Sequence, residues 1–262
     1  MTVTAGVDIG STATKALVLK DEKIMGFAVR PTGANPEKAA TDALDKALEK
    51  AQMKFEDIKY IVTTGYGRRA YSKANENINE INANARAALW LGSSAGTIRT
   101  IIDIGGQDSK VISIDKDGIV KDFIMNDKCA AGTGKFMEVI AQILEVELKD
   151  MGELSLRSTK PIKIGSTCVV FAQSEVISLI AQNKSKEDII AGINNAIASR
   201  IVNMGKRVGI KETVFFDGGP AKNIGVRTAL ETALGMKVFV PKNPQVVNAL
   251  GAALTAYDLV KG

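Results

Sequence analysis

Two short segments of the chain end an apolar run in an aspartate, an isoleucine and a glycine, then add polar residues and a lysine. They are Val7-Asp-Ile-Gly-Ser-Thr-Ala-Thr-Lys15 and Ile102-Asp-Ile-Gly-Gly-Gln-Asp-Ser-Lys110. Glycines in such a turn let backbone N–H groups approach an anion closely. An aspartate at the strand end can hold Mg2+ beside that anion, directly or through water. Ser11, Thr12 and Lys15 add hydroxyls and a charge, and Gln107 could orient a water for attack on a terminal phosphate. A third turn, Phe216-Asp-Gly-Gly-Pro-Ala-Lys222, offers a flat glycine floor for an adenine ring at Gly218 and Gly219. Any one of these is also an ordinary hairpin turn. Three of them, each after an apolar strand, favour a nucleotide site in which Asp8, Asp103 and Gln107 serve hydrolysis. The segment Gly132-Thr-Gly-Lys-Phe136 completes neither a P-loop nor Gly-x-Gly-x-x-Gly, so those two nucleotide motifs are not supported.

The second chemical signal is scarcity. The chain has two cysteines, Cys129 and Cys168, and no histidine. Without histidine there is no Ser-His-Asp or Cys-His machinery and no imidazole metal ligand. Both cysteines fall just before helix-like segments, where the helix dipole favours a thiolate. One reading makes them small buried hydrophobes. The other makes them metal ligands, and two thiolates complete neither a four-cysteine cluster nor a structural zinc site. A twofold dimer doubles them to four, because an isologous contact brings the same patch of each chain together. One shared site is then the simplest full ligation, and the residues alone leave four-cysteine zinc open.

The elements that must position these groups can be read from periodicity. Strands are expected at Thr2–Ile9, Ala16–Leu19, Ile58–Val62, Arg99–Ile104, Lys110–Ile114, Ile119–Met125, Thr213–Phe216 and Lys237–Val240. Thr63–Arg69 reads as a loop. Helices are expected at Pro36–Met53, Asn82–Leu91, around Phe136–Leu144, and at Gln173–Ala181, Asp188–Val208 and Val246–Leu259. The repeated strand–turn–strand unit points to a duplicated α/β domain. No Pro- or Ser-rich linker separates the halves, which favours an intimate cleft over separate beads.

Composition sets the outer bounds. With 262 residues, 45 % hydrophobic and 24 % charged, the chain has enough apolar residues for a packed core. The net charge is +5 and the basic residues are scattered, so nothing marks a nucleic-acid surface. No signal peptide and no long apolar run is visible, which predicts a cytoplasmic protein with no membrane partner.

The three turns resemble the phosphate-1, phosphate-2 and adenosine motifs of the actin/Hsp70/sugar-kinase superfamily. The chain is more closely similar to the activator ATPases of 2-hydroxyacyl-CoA dehydratases, relatives of the benzoyl-CoA reductase ATPase subunits. The likeness runs essentially end to end. It is carried by Asp8–Lys15, Thr64-Gly-Tyr-Gly-Arg68, Ile104-Gly-Gly-Gln-Asp108, Asn126-Asp-Lys-Cys-Ala-Ala-Gly-Thr-Gly134, Ser166-Thr-Cys-Val-Val-Phe-Ala-Gln-Ser-Glu175 and Asn248-Ala-Leu-Gly-Ala-Ala253. The cysteine segments are far more specific than the glycine turns.

The resemblance implies an α/β fold of two actin/Hsp70/sugar-kinase-like (ribonuclease H-like) domains with a nucleotide cleft between them. Residues 1–95 with the C-terminal helix 246–262 would form the first ATPase subdomain. Residues 96–245 would form the second and carry both cysteines. ATP or ADP with Mg2+ is expected on Gly10, Ser11, Thr12, Ala13, Lys15, Gly105, Gly106, Gly134, Lys135, Gly218, Gly219 and Gln245. Cys129 and Cys168 of two chains would hold one [4Fe–4S] cluster per homodimer. In that family reduced ferredoxin or flavodoxin loads the cluster. ATP then drives one electron to a separate dehydratase component, where a ketyl radical forms from a 2-hydroxyacyl-CoA. Domain closure around ATP would couple the two events by changing the angle at which the cysteine-bearing helices meet the cluster.

Two rival readings use the same residues differently. A sugar-type kinase of the same fold would need a further carboxylate base and a sugar pocket, and leaves the cysteine segments unexplained. A non-enzymatic filament or chaperone-like protein would need head-to-tail contacts. Two polar features also stand out. Arg68 and Arg69 read as an exposed charged pair or a phosphate contact. Glu175 reads as a helix cap or as a residue behind the second cysteine.

Overall fold

A computed structural model of the chain describes residues 1–92, 96–165 and 168–261. Ser166 and Thr167 of the second cysteine segment, and Gly262 of the expected helix 246–262, lie outside these residues. The chain divides into two compact units. The first comprises residues 1–98, 114–120 and 245–262, the second residues 99–113 and 121–244.

The first unit is built on five strands: β1 (Val3–Ile9), β2 (Ala13–Lys20), β3 (Lys23–Pro31), β4 (Tyr60–Thr64) and β5 (Glu76–Asn77). Their order is β3-β2-β1-β4-β5. β1–β2–β3 is an antiparallel meander, while β4 runs parallel to β1 and β5 parallel to β4. All seven residues of β1 are buried, with no alternation of wet and dry faces. Helices explain this. α1 (Pro36–Ala51) and α8 (Val247–Lys261) both pack on β1, together with β2, while α2 (Glu80–Leu91) packs on α8. A strand with helices on both faces has no wet side. Gly6 lets α8 settle onto β1, because a Cβ there would lie 2.0 Å from the Ala249 carbonyl oxygen.

Helix α1 shows how local sequence sets these elements. Asn35 caps it by accepting a hydrogen bond from the Lys38 amide at 3.0 Å, Pro36 opens it, and Ala40, Ala43, Leu44, Ala47 and Leu48 form its buried stripe.

The second unit repeats the plan. β6 (Thr100–Ile104), β7 (Ser109–Ile114), β8 (Val120–Asn126), β9 (Val214–Gly218) and β10 (Val238–Phe239) form a sheet of order β10-β9-β6-β7-β8. β6 is antiparallel to β7 and parallel to β9, as β1 is to β2 and β4. The sequence repeat is therefore a repeat of sheet topology. Its core joins Ile102, Ile104, Phe216, Phe136, Ile140, Ile193, Ile197 and Val226. These come from the sheet and from α3 (Gly134–Ile143), α6 (Lys186–Val208) and α7 (Ile224–Leu234). α4 (Met151–Leu156) and α5 (Val169–Ala181) complete the unit.

Several boundaries differ from expectation. β3, β5, α4 and α7 are additional. β4 runs on to Thr64, so Thr63 and Thr64 are strand rather than loop. The turn after β1 is only Gly10-Ser11-Thr12, and Ala13 and Lys15 belong to β2. α5 starts at Val169, four residues earlier than its periodicity suggests, which makes Cys168 its N-cap residue. Among the described residues no helix is long and apolar enough to cross a membrane.

Candidate active site

The two repeated turns have one geometry. In β1 and β2, Asp8 stands directly across from Lys15, whose Nζ donates to Asp8 Oδ2 at 2.9 Å. In β6 and β7, Asp103 stands across from Lys110, whose Nζ lies 3.4 Å from Asp103 Oδ2. Lys110 also donates to Asp108. Both turns close in the same way, with the Gly10 amide donating to the Ala13 carbonyl at 3.1 Å and the Gly105 amide to the Asp108 carbonyl at 2.9 Å. Each unit thus ends its first strand in a buried carboxylate held by a lysine, with a tight glycine turn above it. Lys110 is only 2 % exposed. A buried ammonium needs such partners, because desolvation without them costs several kcal/mol.

In the first unit the structure gathers Asp8, Gly10, Ser11, Thr12, Ala13 and Lys15 around that one turn, Asp8 from β1 and Ala13 and Lys15 from β2. The Thr12 hydroxyl oxygen is buried with no hydrogen-bond partner among the described residues. Its chemistry fits an anion above the turn, since a buried hydroxyl without a partner is costly. The second glycine segment closes on the same place. Gly67 donates its amide to the Ile9 carbonyl at 2.9 Å, and a Cβ on Gly65 would meet Asp8 Oδ1 at 2.5 Å. Arg68 is half-buried and donates to the Gly65 carbonyl at 3.2 Å, while Arg69 is exposed. Gln245 lies just before α8, in the same unit.

In the second unit Gly105, Gly106, Gly134 and Lys135 come together. The Gly134 amide donates to the Gly105 carbonyl at 2.9 Å and the Lys135 amide to the Gly106 carbonyl at 2.8 Å, so the first turn of α3 is tied to the β6–β7 turn. The Lys135 ammonium pairs with Glu138 at 3.1 Å. Gln107 is exposed at the tip of this turn. Gly218 and Gly219 follow β9, and the two positions are unlike. Gly218 has φ +89, and a Cβ on it would lie 2.0 Å from the Ile104 carbonyl oxygen, so only glycine fits. Around Gly219 a Cβ meets nothing within 4 Å.

Two buried acids beside the expected residues were missed from sequence. Asp108 shares Lys110 with Asp103. Asp217, 1 % exposed, is paired in register with Asp103 across the parallel β6–β9 contact. The signal for Asp217 was available, since it is the aspartate of the third glycine turn, Asp217-Gly-Gly219.

Both cysteines are thiols outside any disulfide and are half-buried in the second unit. Cys129 sits in the loop between β8 and α3, where Asn126 Nδ2 donates to its carbonyl at 2.9 Å and Arg200 Nη1 to its Sγ at 3.3 Å. Beyond Cys168, Glu175 Oε1 accepts from the Gly165 amide at 2.9 Å, tying Gly165 to the body of α5. Among the described residues no group of three or more His, Cys, Asp or Glu is placed to hold a metal. Two thiols are a fitting donor set for an iron–sulfur cluster and only half of one.

Residues 5–256 match the BadF/BadG/BcrA/BcrD ATPase family. The activator of lactoyl-CoA dehydratase from Anaerotignum propionicum is 47 % identical over 256 residues, covering 97 % of each chain. The (R)-2-hydroxyglutaryl-CoA dehydratase activating ATPase from Acidaminococcus fermentans is 45 % identical, covering 97 % of this chain and 96 % of the relative. Among solved structures, the activator of the 2-hydroxyisocaproyl-CoA dehydratase from Clostridium difficile with bound ADPNP superimposes with a TM-score of 0.94 at 43 % identity, covering 99 % of this chain and 96 % of that one. A ROK family glucokinase from Streptomyces griseus, with glucose and AMPPNP, matches with a TM-score of 0.61 over 98 % of this chain at 15 % identity. At that identity the likeness concerns the fold alone, and it is the actin/Hsp70/sugar-kinase fold that the glycine turns led us to expect. A family match that spans nearly the whole chain, on a scaffold with two lysine-held strand-end aspartates, leads to one conclusion: the chain belongs to the BadF/BadG/BcrA/BcrD ATPase family and is an ATPase.

Proposed function

We propose that this ATPase activates a 2-hydroxyacyl-CoA dehydratase by ATP-driven delivery of single electrons. The observation that carries the reading is the near full-length likeness to dehydratase activators at 43–47 % identity. In this reading Cys129 and Cys168 of two identical chains hold one [4Fe–4S] cluster, which when bound supplies a one-electron carrier. The two ATPase subdomains of this reading, residues 1–95 with 246–262 and residues 96–245, run close to the two compact units, apart from residues 114–120, which group with the first unit.

The nucleotide's phosphates rest on the turns around Gly10–Lys15 and Gly105–Gly106, with Gly134 and Lys135 beside the latter. Gly218, Gly219 and Gln245 serve the adenosine end. Asp8 and Asp103 position Mg2+ and its waters, and Gln107 orients the attacking water. The lysines opposite the aspartates support this, because each fixes a strand-end carboxylate beside its glycine turn. Ferredoxin or flavodoxin is the electron donor.

A twofold partner is supported by α5. Its sequence is apolar, yet Val170 and Phe171, two and three residues after Cys168, are 64 % and 69 % exposed in a single chain. Exposed large apolar residues beside a half-complete ligand set are what a second copy would cover. The direct test mixes anaerobically purified protein with ATP, reduced ferredoxin or flavodoxin, and a dehydratase component with its 2-hydroxyacyl-CoA. Dehydration that needs both ATP and this chain is expected. ATP-dependent phosphorylation of a sugar with no activation would replace the reading by the kinase.

A further inference from the structure

Arg200 lies outside every motif considered so far, on a helix with no part in the nucleotide turns. α6 is fixed in rotation because Ile197, Ala198 and Ile201 are buried on either side of Arg200 in sequence. That directs the guanidinium at the cysteine loop, where Nη1 donates to Cys129 Sγ at 3.3 Å. The loop is shaped around the arginine stem. Gly132 has φ +103, and a Cβ on it would lie 3.0 Å from Arg200 Cδ, so a larger residue would press on the side chain. Two further bonds hold the loop in register, from Asn126 Nδ2 to the Cys129 carbonyl at 2.9 Å and from Thr133 Oγ1 to the Ala130 carbonyl at 2.6 Å. Arg200 also lines a cavity of about 810 Å³ with Lys163 and Arg207, so positive charge gathers on this side of the loop.

Arginine stays protonated throughout the working pH range, so its charge at the sulfur is permanent. A donor and a positive charge at a ligating sulfur stabilise the more negative, reduced form of an iron–sulfur cluster over the oxidised form. We infer that Arg200 is a positioning residue for the cluster: it orients the Cys129 sulfur and raises the reduction potential of the group bound there. The inference rests on the proposal that Cys129 is a cluster ligand. In a twofold dimer two such arginines act on the same cluster, one from each chain.

The test is a redox titration of the anaerobically purified dimer, followed by electron paramagnetic resonance, for wild type and for Arg200→Gln, Arg200→Met and Arg200→Lys. Iron content and ADP binding are measured on each sample. Loss of the donor and charge is expected to shift the reduced-to-oxidised ratio at a given potential about tenfold toward oxidised, which is 59 mV for one electron. The shift should be largest in Arg200→Met, smaller in Arg200→Gln and mostly restored in Arg200→Lys. Loss of iron from Arg200→Met with ADP binding intact, and its return in Arg200→Lys, would equally support the orienting role. Should Arg200→Met lose ADP binding as well, Arg200→Gln decides alone. Clusters with wild-type potential in all variants that bind ADP would overturn the inference and leave the cluster assignment standing. Wild-type protein without iron and sulfide would overturn the cluster assignment, and the inference with it.

Discussion

At the level of single residues, the strand-end aspartates are where sequence and structure meet most directly. Asp8 and Asp103 could be picked out because the same apolar–Asp–Ile–Gly pattern occurs twice. The structure adds what one-dimensional reading could not supply, namely that each faces a lysine across an antiparallel pair. It also brings in Asp108, which shares Lys110 with Asp103, and Asp217 and Gly65, which lie in quoted segments but whose places beside Asp103 and Asp8 depend on register and backbone approach. Asp103→Asn is expected to fold, because Lys110 keeps Asp108 as a partner. It should lower ATP turnover about 10–100-fold, the usual cost of disturbing the groups around a metal, while leaving the iron content unchanged. Steady-state ATPase assays would decide, and wild-type turnover would remove Asp103 from the hydrolytic site.

The two glycines after β9 allow a sharper comparison at the same scale. A Cβ at Gly219 meets no described atom within 4 Å beyond its chain neighbours, whereas one at Gly218 would collide with the Ile104 carbonyl. Gly219→Val should therefore stay folded and bind ATP at least tenfold more weakly, about 1.4 kcal/mol. Gly218→Val should lose stability outright. Calorimetric titration and thermal melts separate the two outcomes, and unimpaired ATP binding by Gly219→Val would move the adenosine site elsewhere.

At the scale of elements, long periodic helices and the central strands were legible, and short or irregular pieces were not. α1 announces itself through Asn35, Pro36 and an alanine stripe. β3 is hidden because Gly26 and three leading exposed residues break its alternation. α7 contains a glycine and two threonines, and its signals are its caps. Asn223 accepts from the Val226 amide at 3.1 Å, and Gly235 closes it with φ 69. α5 was read too short because its first turn, Val-Val-Phe, has the composition of a strand. That error mattered, since it hid that Cys168 is the N-cap residue.

The start of α6 shows an element boundary that should respond to pH. Asp188 accepts from Ser158 Oγ at 2.6 Å and from the Lys160 and Thr159 amides, which holds its carboxyl at about 2 against the usual 3.8. A carboxyl whose folded pKa is depressed stabilises the fold fully above its unfolded value, and loses that contribution as pH falls through the folded one. The window here runs from about pH 3.8 down to about 2. Asp188→Asn should therefore melt lower than wild type by a constant margin from neutral pH to about pH 5, with the margin closing below pH 4. A margin independent of pH down to 2 would show that the carboxylate charge is not what ties residues 158–160 to α6.

At the scale of the whole molecule, the duplicated sheet order and the family are secure, and the ATPase activity follows from them. The duplication was visible in the repeated turn. The topology that makes it a structural repeat was not, because it depends on β4 and β9 pairing in parallel with strands distant in sequence. What makes this ATPase an electron-transfer protein in our proposal is its ligand arithmetic of two cysteines and no histidine per chain. A four-cysteine cluster then needs two chains. Either cysteine changed to serine should remove two of the four thiolates of the dimer, and so the stable cluster, while ATP binding remains. The most direct test is iron and acid-labile sulfide analysis on anaerobically purified protein, with its mass in solution determined on the same sample. About four irons and four sulfides per dimer are expected, by the four-cysteine rule for such clusters. Zinc in their place would contradict the redox function, and a full cluster on a monomer would contradict the shared site.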